Sequence, residues 1–204
     1  VNFGLFAFAV LVSQPFAIHL SKWLYILPFD PKPGWIVVSS DALDSAPVQA
    51  LMALLVLFIQ DLCGYWFHRL MHRNRFLWKL HRVHHGDPSM SASTLYRQHW
   101  VHYPLQAILF TWPMAILFYF NVVRIRGFVV FPLVWNLLIH ADIPLKFGRF
   151  TRFIVGPQIH RIHHSREACH WDKNFAGYFP IIDWIFGTYY HPAPSEWPET
   201  GLQP

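Results

Sequence analysis

Residues 47–67, PVQALMALLVLFIQDLCGYWF, are apolar almost without a break from Val48 to Ile59 and run directly into HRLMH at 68–72. A helix rises about 1.5 Å per residue, so 21 residues cover the roughly 30 Å of a bilayer's hydrocarbon core. A spanning helix that ends in two histidines sets the expected architecture, and the rest of the chain extends it. Three further apolar stretches lie at 3–20, 104–120 and 127–141. The first also has spanning length. The last reaches only about 22 Å and contains Pro132, so it reads as a tilted partner in a shallow hairpin.

The composition agrees with lipid as partial solvent. Apolar residues make up 54% of the 204, aromatics 18% and charged residues only 13%, with a mean hydropathy of +0.27. A net charge of +5 spread over so apolar a chain is a poor footprint for nucleic acid, which is excluded as a partner. Twelve of the sixteen Lys and Arg lie in segments 68–102 and 142–204, which the positive-inside tendency assigns to the cytoplasm. That placement requires the third and fourth stretches to go out and back, reversing at NVVRIRG (121–127). The Pro- and Ser-containing segment 21–46 then reads as a loop on the opposite face, with Trp23, Tyr25 and Trp35 at the interface. One domain is expected over residues 1–204. The first apolar run has no basic lead-in and no A-x-A site, so a signal peptide is not expected, and the start at Val1 points to sequence missing ahead of it. Cys63 and Cys169 are too far apart for a CxxC site.

Eight of the fourteen histidines fall in three boxes: HRLMH (68–72), HRVHH (81–85) and HRIHH (160–164). On helices, His68 and His72 stand at i and i+4. His81, His84 and His85 stand at i, i+3 and i+4, as do His160, His163 and His164, so each box is expected to aim its imidazoles at one face. Eight neutral nitrogens exceed what one ion uses, and two metal ions are implied. No box contains a glutamate. This argues against an HExxH zinc protease and against the Glu-based soluble di-iron bundles. Isolated histidines such as His19 and His191, and likewise His102 and His170, read as surface residues.

HRLMH, HRVHH and HRIHH in that order, with Asp61 ahead of GYWFHR and the tail DKNFAGYFPIIDWIFGT at 172–188, resemble the fatty acid hydroxylase/sterol desaturase superfamily over residues 57–190. The resemblance implies an all-α integral-membrane protein with about four transmembrane or hairpin helices and a cytoplasmic histidine-rich helical cap. It implies that His68, His72, His81, His84, His85, His160, His163 and His164 hold two Fe ions, with zinc able to substitute in recombinant protein, and that O2 is the co-substrate attacking a lipid C–H bond. His140, in LLIHAD, is the candidate further ligand. His99, in the Arg97-Gln98-His99 element, is a candidate ligand or supporting residue. Asp61 is expected either to orient a box histidine or to pair with Trp66 or an arginine within the helices. Arg97, Asn174 and Asp183 are supporting candidates. Hydroxylation is favoured over desaturation, and a histidine-rich membrane metal carrier is the rival from another class. No dinucleotide fingerprint, haem attachment site or iron–sulfur cysteine set is present. Electrons are therefore expected from a partner such as a cytochrome b5-like protein, a ferredoxin or a reductase. Aromatics near the boxes, including Tyr65, Trp78 and Tyr96, read as pocket lining or interface anchors.

Overall fold

The computed structural model describes residues 2–26, 36–37, 45–111, 118–119 and 126–203. The first helix, α1, comprises Asn2–Phe8, Ala9–Ser13 and Gln14–Ile26, and its middle five residues are wound as a π-helix. Pro15 accounts for the wide turn, because a proline has no N–H to return to the preceding turn; the Gln14 N–H reaches back to the carbonyl of Ala9. The opened turn buries Ser13, whose hydroxyl donates to the carbonyl of Trp100 at 2.7 Å.

Helix α2, Ala46–Arg73, is 28 residues long, about 42 Å at 1.5 Å per residue. Pro47 stands in its first turn, where a missing N–H costs nothing. Only 17% of its most apolar window is buried, and Leu51, Leu54 and Leu55 point outward. A core helix of a soluble protein would be mostly covered, and this one is mostly exposed. Helix α1 shows the same pattern over Phe3–Leu20, 18% buried. These two helices are long and apolar enough to cross a membrane, and the protein is membrane-associated.

Asn74 is one extended residue (φ −90°, ψ 121°) between α2 and helix α3, Arg75–His85. Its Oδ1 accepts the N–H groups of Phe76 and Leu77 at 2.9 and 3.1 Å, capping α3 as it turns back. The second box thereby returns against the first. A 3-10 turn, Ala92–Tyr96, follows behind a Ser91/Thr94 capping box. Helix α4, His102–Gln106, continues as a π turn through Thr111. Helix α5, Arg126–His140, contains Pro132, and Asn136 Nδ2 donates to the Pro132 carbonyl at 2.7 Å. Helices α6 (Pro157–His163) and α7 (Pro180–Ile185) each start on a proline. Apart from an isolated bridge between Ser165 and Thr200, a two-residue parallel pairing of Ile36–Val37 with Phe118–Tyr119 is the one strand pairing among the described residues. The architecture is all-helical.

Tyr65, Ile139, Val155, Ile159, Phe175, Ala176 and Ile182 form the apolar core where α2, α5, α6, α7 and the loop before α7 meet. Every one of these helices except α7 also carries a box histidine or His140, so the core and the histidines stiffen the same junction. Residues 21–26, expected as part of a loop, continue α1 as helix; most of the remaining segment to 44 lies outside the described residues. The third apolar stretch is helical to Thr111, and residues 112–117 and 120 lie outside the description, as does most of the reversal at 121–127.

Candidate metal centre

The three boxes and His140 assemble into two adjacent histidine groups. His68, His72, His81, His85 and His163 form one; His84, His140, His160 and His164 form the other. Within each group the ligand atoms all lie within 4.8 Å of one another. Two imidazole nitrogens on opposite sides of one ion would stand about 4.2 Å apart, so each group has the size of a single-ion site.

The boxes do not each serve one face, as their spacing had indicated. In HRVHH, His81 and His85 (i, i+4) enter the first group while His84 enters the second. In HRIHH the assignment is reversed: His160 and His164 enter the second group and His163 the first. Adjacent helical residues differ by about 100° in direction, so an HH pair at a helix end straddles two sites. His85 and His164 stack at 4.4 Å between ring centroids where the groups adjoin.

The backbone fixes which nitrogen faces inward. Nδ1–H of His68 donates to the carbonyl of Phe175 at 3.0 Å, that of His84 to Thr94 at 3.0 Å, that of His140 to Asn136 at 2.7 Å and that of His163 to Lys173 at 2.8 Å. A carbonyl only accepts, so these four rings carry their proton on Nδ1 and present Nε2 as a lone pair. His72 Nδ1 lies 3.5 Å from Asp172 Oδ1. The inward atoms crowd: His68 and His81 Nε2 are 3.0 Å apart, His72 and His85 Nε2 3.1 Å, and His160 and His140 Nε2 3.0 Å. Nε2 of His163 and of His164 are buried without a hydrogen-bond partner. Burial, reinforced by neighbouring imidazoles, holds His81, His84, His85, His160, His163 and His164 well below the ordinary histidine pKa, so their rings are neutral donors at physiological pH. Neutral imidazole nitrogens converging on common points are a donor set suited to two Fe or Zn ions. No carboxylate belongs to either group.

Asp61, Asn174 and Asp183 act through the loop 173–179. Asp61 touches no histidine. Its carboxylate accepts the backbone N–H groups of Gly177, Tyr178 and Phe179 at 2.7, 3.0 and 2.7 Å, which replaces both roles expected for it. Asp183 accepts the N–H of Phe175 and of Ala176 at 2.7 and 2.9 Å, together with the Thr188 hydroxyl. Asn174 clamps Tyr190 through both of its backbone polar groups. This loop supplies the carbonyls that orient His68 and His163, so three polar side chains hold the ligand-orienting backbone rather than the ligands. Asp172 and Asn174 sit at positive φ, 58° and 56°, a conformation that Asp and Asn tolerate better than most residues. Arg97 Nε donates to the carbonyl of Val83 at 2.8 Å, securing the last turn of α3. His99 stands outside both groups; its Nδ1 accepts from the Val101 N–H at 3.3 Å and its ring lies against Trp100.

Of the histidines at 102 and 170, both read as surface residues, His170 is buried and His102 is half-buried. His170 is 1% exposed, bonded to Ser165 Oγ and Glu196 Oε1, both at 2.9 Å. His102 stacks on His81 at 6.2 Å with its Nδ1 buried. Sequence spacing gave no sign of His102, which belongs to no box. A cavity of about 450 Å³ leads to the histidines between α1, α2, α4 and α5, lined by Phe67, Tyr103, Phe110 and Leu133 and reaching His68, His84 and His140. A second cavity of about 410 Å³, bordered by Trp78, Arg82 and Trp171, reaches the first group from another side through His72, His85 and His163.

The profile of the family described as fatty acid hydroxylase matches residues 53–188, a span that contains all nine grouped histidines. The chain is 34% identical over 129 residues to alkylglycerol monooxygenase of Danio rerio, covering 63% of this chain and 28% of that protein. It is 31% identical over 144 residues to lathosterol oxidase of Mus musculus (69% and 45%) and 23% identical over 158 residues to an ornithine lipid hydroxylase of Rhizobium tropici (75% and 46%). The matches span less than half the length of each of these relatives. No solved structure matches the chain with significance.

Proposed function

This chain belongs to the fatty acid hydroxylase family, and on that premise we propose that it is a membrane di-iron mono-oxygenase that hydroxylates an unactivated C–H bond of a lipid, using O2 and electrons from outside the chain. The observation that carries the reading is the pair of all-imidazole groups, nine rings whose free nitrogens converge on two points at the end of a spanning helix. His68, His72, His81, His85 and His163 would hold one iron and His84, His140, His160 and His164 the other. When bound, the iron pair supplies O2 activation. The protein's own part is to keep the rings neutral and oriented through the carbonyls of Thr94, Asn136, Lys173 and Phe175. It also presents a lipid along the 450 Å³ cavity and walls the centre off from water.

Four membrane or hairpin helices with the histidine cap on the cytoplasmic side, of an inner membrane or of the endoplasmic reticulum, fit the placement of basic residues. An acidic donor, whether a cytochrome b5-like protein, a ferredoxin or a reductase, would find Arg82 and Trp78 at the mouth of the second cavity. The name of the relative from Danio rerio makes alkylglycerols the first substrates to try. The test is incubation of reduced, iron-loaded protein with 18O2 and a lipid panel. One labelled oxygen in a hydroxylated product is expected; an unlabelled, unsaturated product would assign desaturation, and metal binding with no O2-dependent product would favour the carrier reading.

A further inference from the structure

The tail helix α7 leaves Ile181, Trp184 and Ile185 exposed, Trp184 at 70%. A 3-10 turn, Gly148–Arg152, packs against α7, and the Tyr189 hydroxyl donates to the Thr151 carbonyl at 3.5 Å. On this second element Phe150 is exposed, as is Phe153 just beyond the turn, at 71%. Five large apolar side chains exposed on two packed elements exceed the single exposed residues normal for a soluble surface. We propose that this face dips into the lipid leaflet beside α2, and that Lys146, Arg149 and Arg152 hold anionic lipid headgroups at its border. The inference needs α2 to cross the membrane and nothing of the metal chemistry.

The depth of the face follows from the contacts of α7 with α2. Just before α7, Phe179 packs on Phe58 with 5.6 Å between ring centroids. Just after it, Phe186 meets Trp66 at 4.8 Å, and Arg69 covers the Trp66 ring while donating to the Phe186 carbonyl at 3.4 Å. Phe58 and Trp66 lie about 16 Å and about 28 Å along α2 from Pro47, and the hydrocarbon core is roughly 30 Å thick. With α2 crossing from Pro47, α7 stands at the level of the far half of that core and its headgroup border. Trp66 is itself half-exposed, so the exposed side of α2 continues into the patch. Non-helical backbone is tolerated at such depth only where the protein satisfies its polar groups. The loop before α7 meets that condition: Asp61 takes the N–H groups of Gly177, Tyr178 and Phe179, and Asp183 those of Phe175 and Ala176. The charge pattern selects the lipid. From Ile143 to Ile154 the chain carries three basic residues and no acidic one, and Asp183 of α7 is buried and engaged. The Arg149 guanidinium lies over the exposed Phe150 ring, 5.3 Å from its centroid, which puts cation and apolar anchor in one place, as an anionic interface requires.

The experiment is spin-label EPR on the full chain, zinc-loaded to avoid a paramagnetic metal, in vesicles of phosphatidylcholine and phosphatidylglycerol. Cys63→Ala is present throughout. Labels are attached singly at Phe153→Cys or Trp184→Cys, each with Cys169→Ser, and at the exposed native Cys169 as the aqueous reference. The labels at 153 and 184 are expected to favour collision with O2 over a water-soluble nickel chelate several times more than the label at 169 does. Spin-labelled phosphatidylglycerol should be immobilised about threefold more than spin-labelled phosphatidylcholine, and Lys146→Gln, Arg149→Gln and Arg152→Gln together should remove about half of that excess or more. Labels at 153 and 184 as open to the chelate as the one at 169 would overturn the proposal. Shielding from both relaxants would also overturn it, by showing that a second copy or another stretch of protein covers the face. An excess of phosphatidylglycerol unchanged by the three substitutions would overturn the headgroup assignment. A label at Leu54→Cys, on the exposed side of α2, checks the premise, and its exposure to the chelate would overturn the proposal along with the crossing of α2. None of these readouts depends on turnover.

Discussion

The Nε2 atoms of His84 and His140 face each other at 3.4 Å, while the Nδ1–H of each ring is already given to a backbone carbonyl. Neither Nε2 carries a proton, so no hydrogen bond joins them, and two lone pairs meet in a buried site. A cation held by both rings would relieve this arrangement. Metal removal should therefore destabilise the protein. At an ion concentration a thousandfold above its dissociation constant, the expected stabilisation is about 4 kcal/mol. Thermal unfolding in detergent, before and after chelation, measures it. Zinc should restore the unfolding temperature without restoring product, and iron should restore both. A chelated protein that unfolded at the original temperature would mean that the rings do not hold ions.

Because HRVHH and HRIHH each split between the two groups, a single box mutation damages one site directly. His84→Ala removes a ring from the second group and His163→Ala one from the first. Each variant should lose more than about a hundredfold in activity and a large part of its metal, yet remain in the membrane fraction, since neither residue lies on α1 or α2. Metal analysis of the washed membranes decides the matter; a variant with full iron and full turnover would remove that ring from the site.

Asp61 holds three backbone N–H groups of the loop that positions His68. Hydrogen bonds to a charged acceptor contribute roughly 1.5–3 kcal/mol each, and Asn offers one acceptor and a misplaced donor. Asp61→Asn should therefore cost about 2–4 kcal/mol and lower iron occupancy together with stability. Chemical denaturation of the variant is the check, and an unchanged midpoint with reduced turnover would instead place Asp61 in the chemistry.

Glu167, Cys169 and His170 also come close enough to hold an ion. His170 is already satisfied by Ser165 and Glu196, and Cys169 is exposed, so a structural role is expected. Cys169→Ser should leave the metal-to-protein ratio unchanged and shift stability by no more than about 0.5 kcal/mol. A fall in bound metal would reveal a third site.

Much of this was legible from side-chain type and spacing. The run from Val48 to Ile59 announced a helix long and apolar enough to cross a membrane, and the repeated HRxHH boxes announced a gathering of imidazoles. What spacing alone missed was set by three-dimensional neighbours. The split of each HH pair depends on α3 being folded back at Asn74, a tertiary feature. The role of Asp61 depends on a loop 116 to 118 residues away in sequence. Backbone carbonyls, which orient four of the nine rings, leave no trace in residue identity. His102 lies in no box, and only the packing of α4 brings it against His81. Asp172 and Asn174 carried a usable signal, since Asp-x-Asn suits two left-handed positions in one loop.

The most direct measurement is a Mössbauer spectrum, with iron quantitation, of protein purified in detergent from cells grown on enriched iron. Two irons per chain in a spin-coupled signal that changes on reduction and again on exposure to O2 are expected from the paired imidazole groups. A single uncoupled iron, or zinc filling both groups after iron-replete growth with no response to reductant, would contradict a di-iron oxygenase.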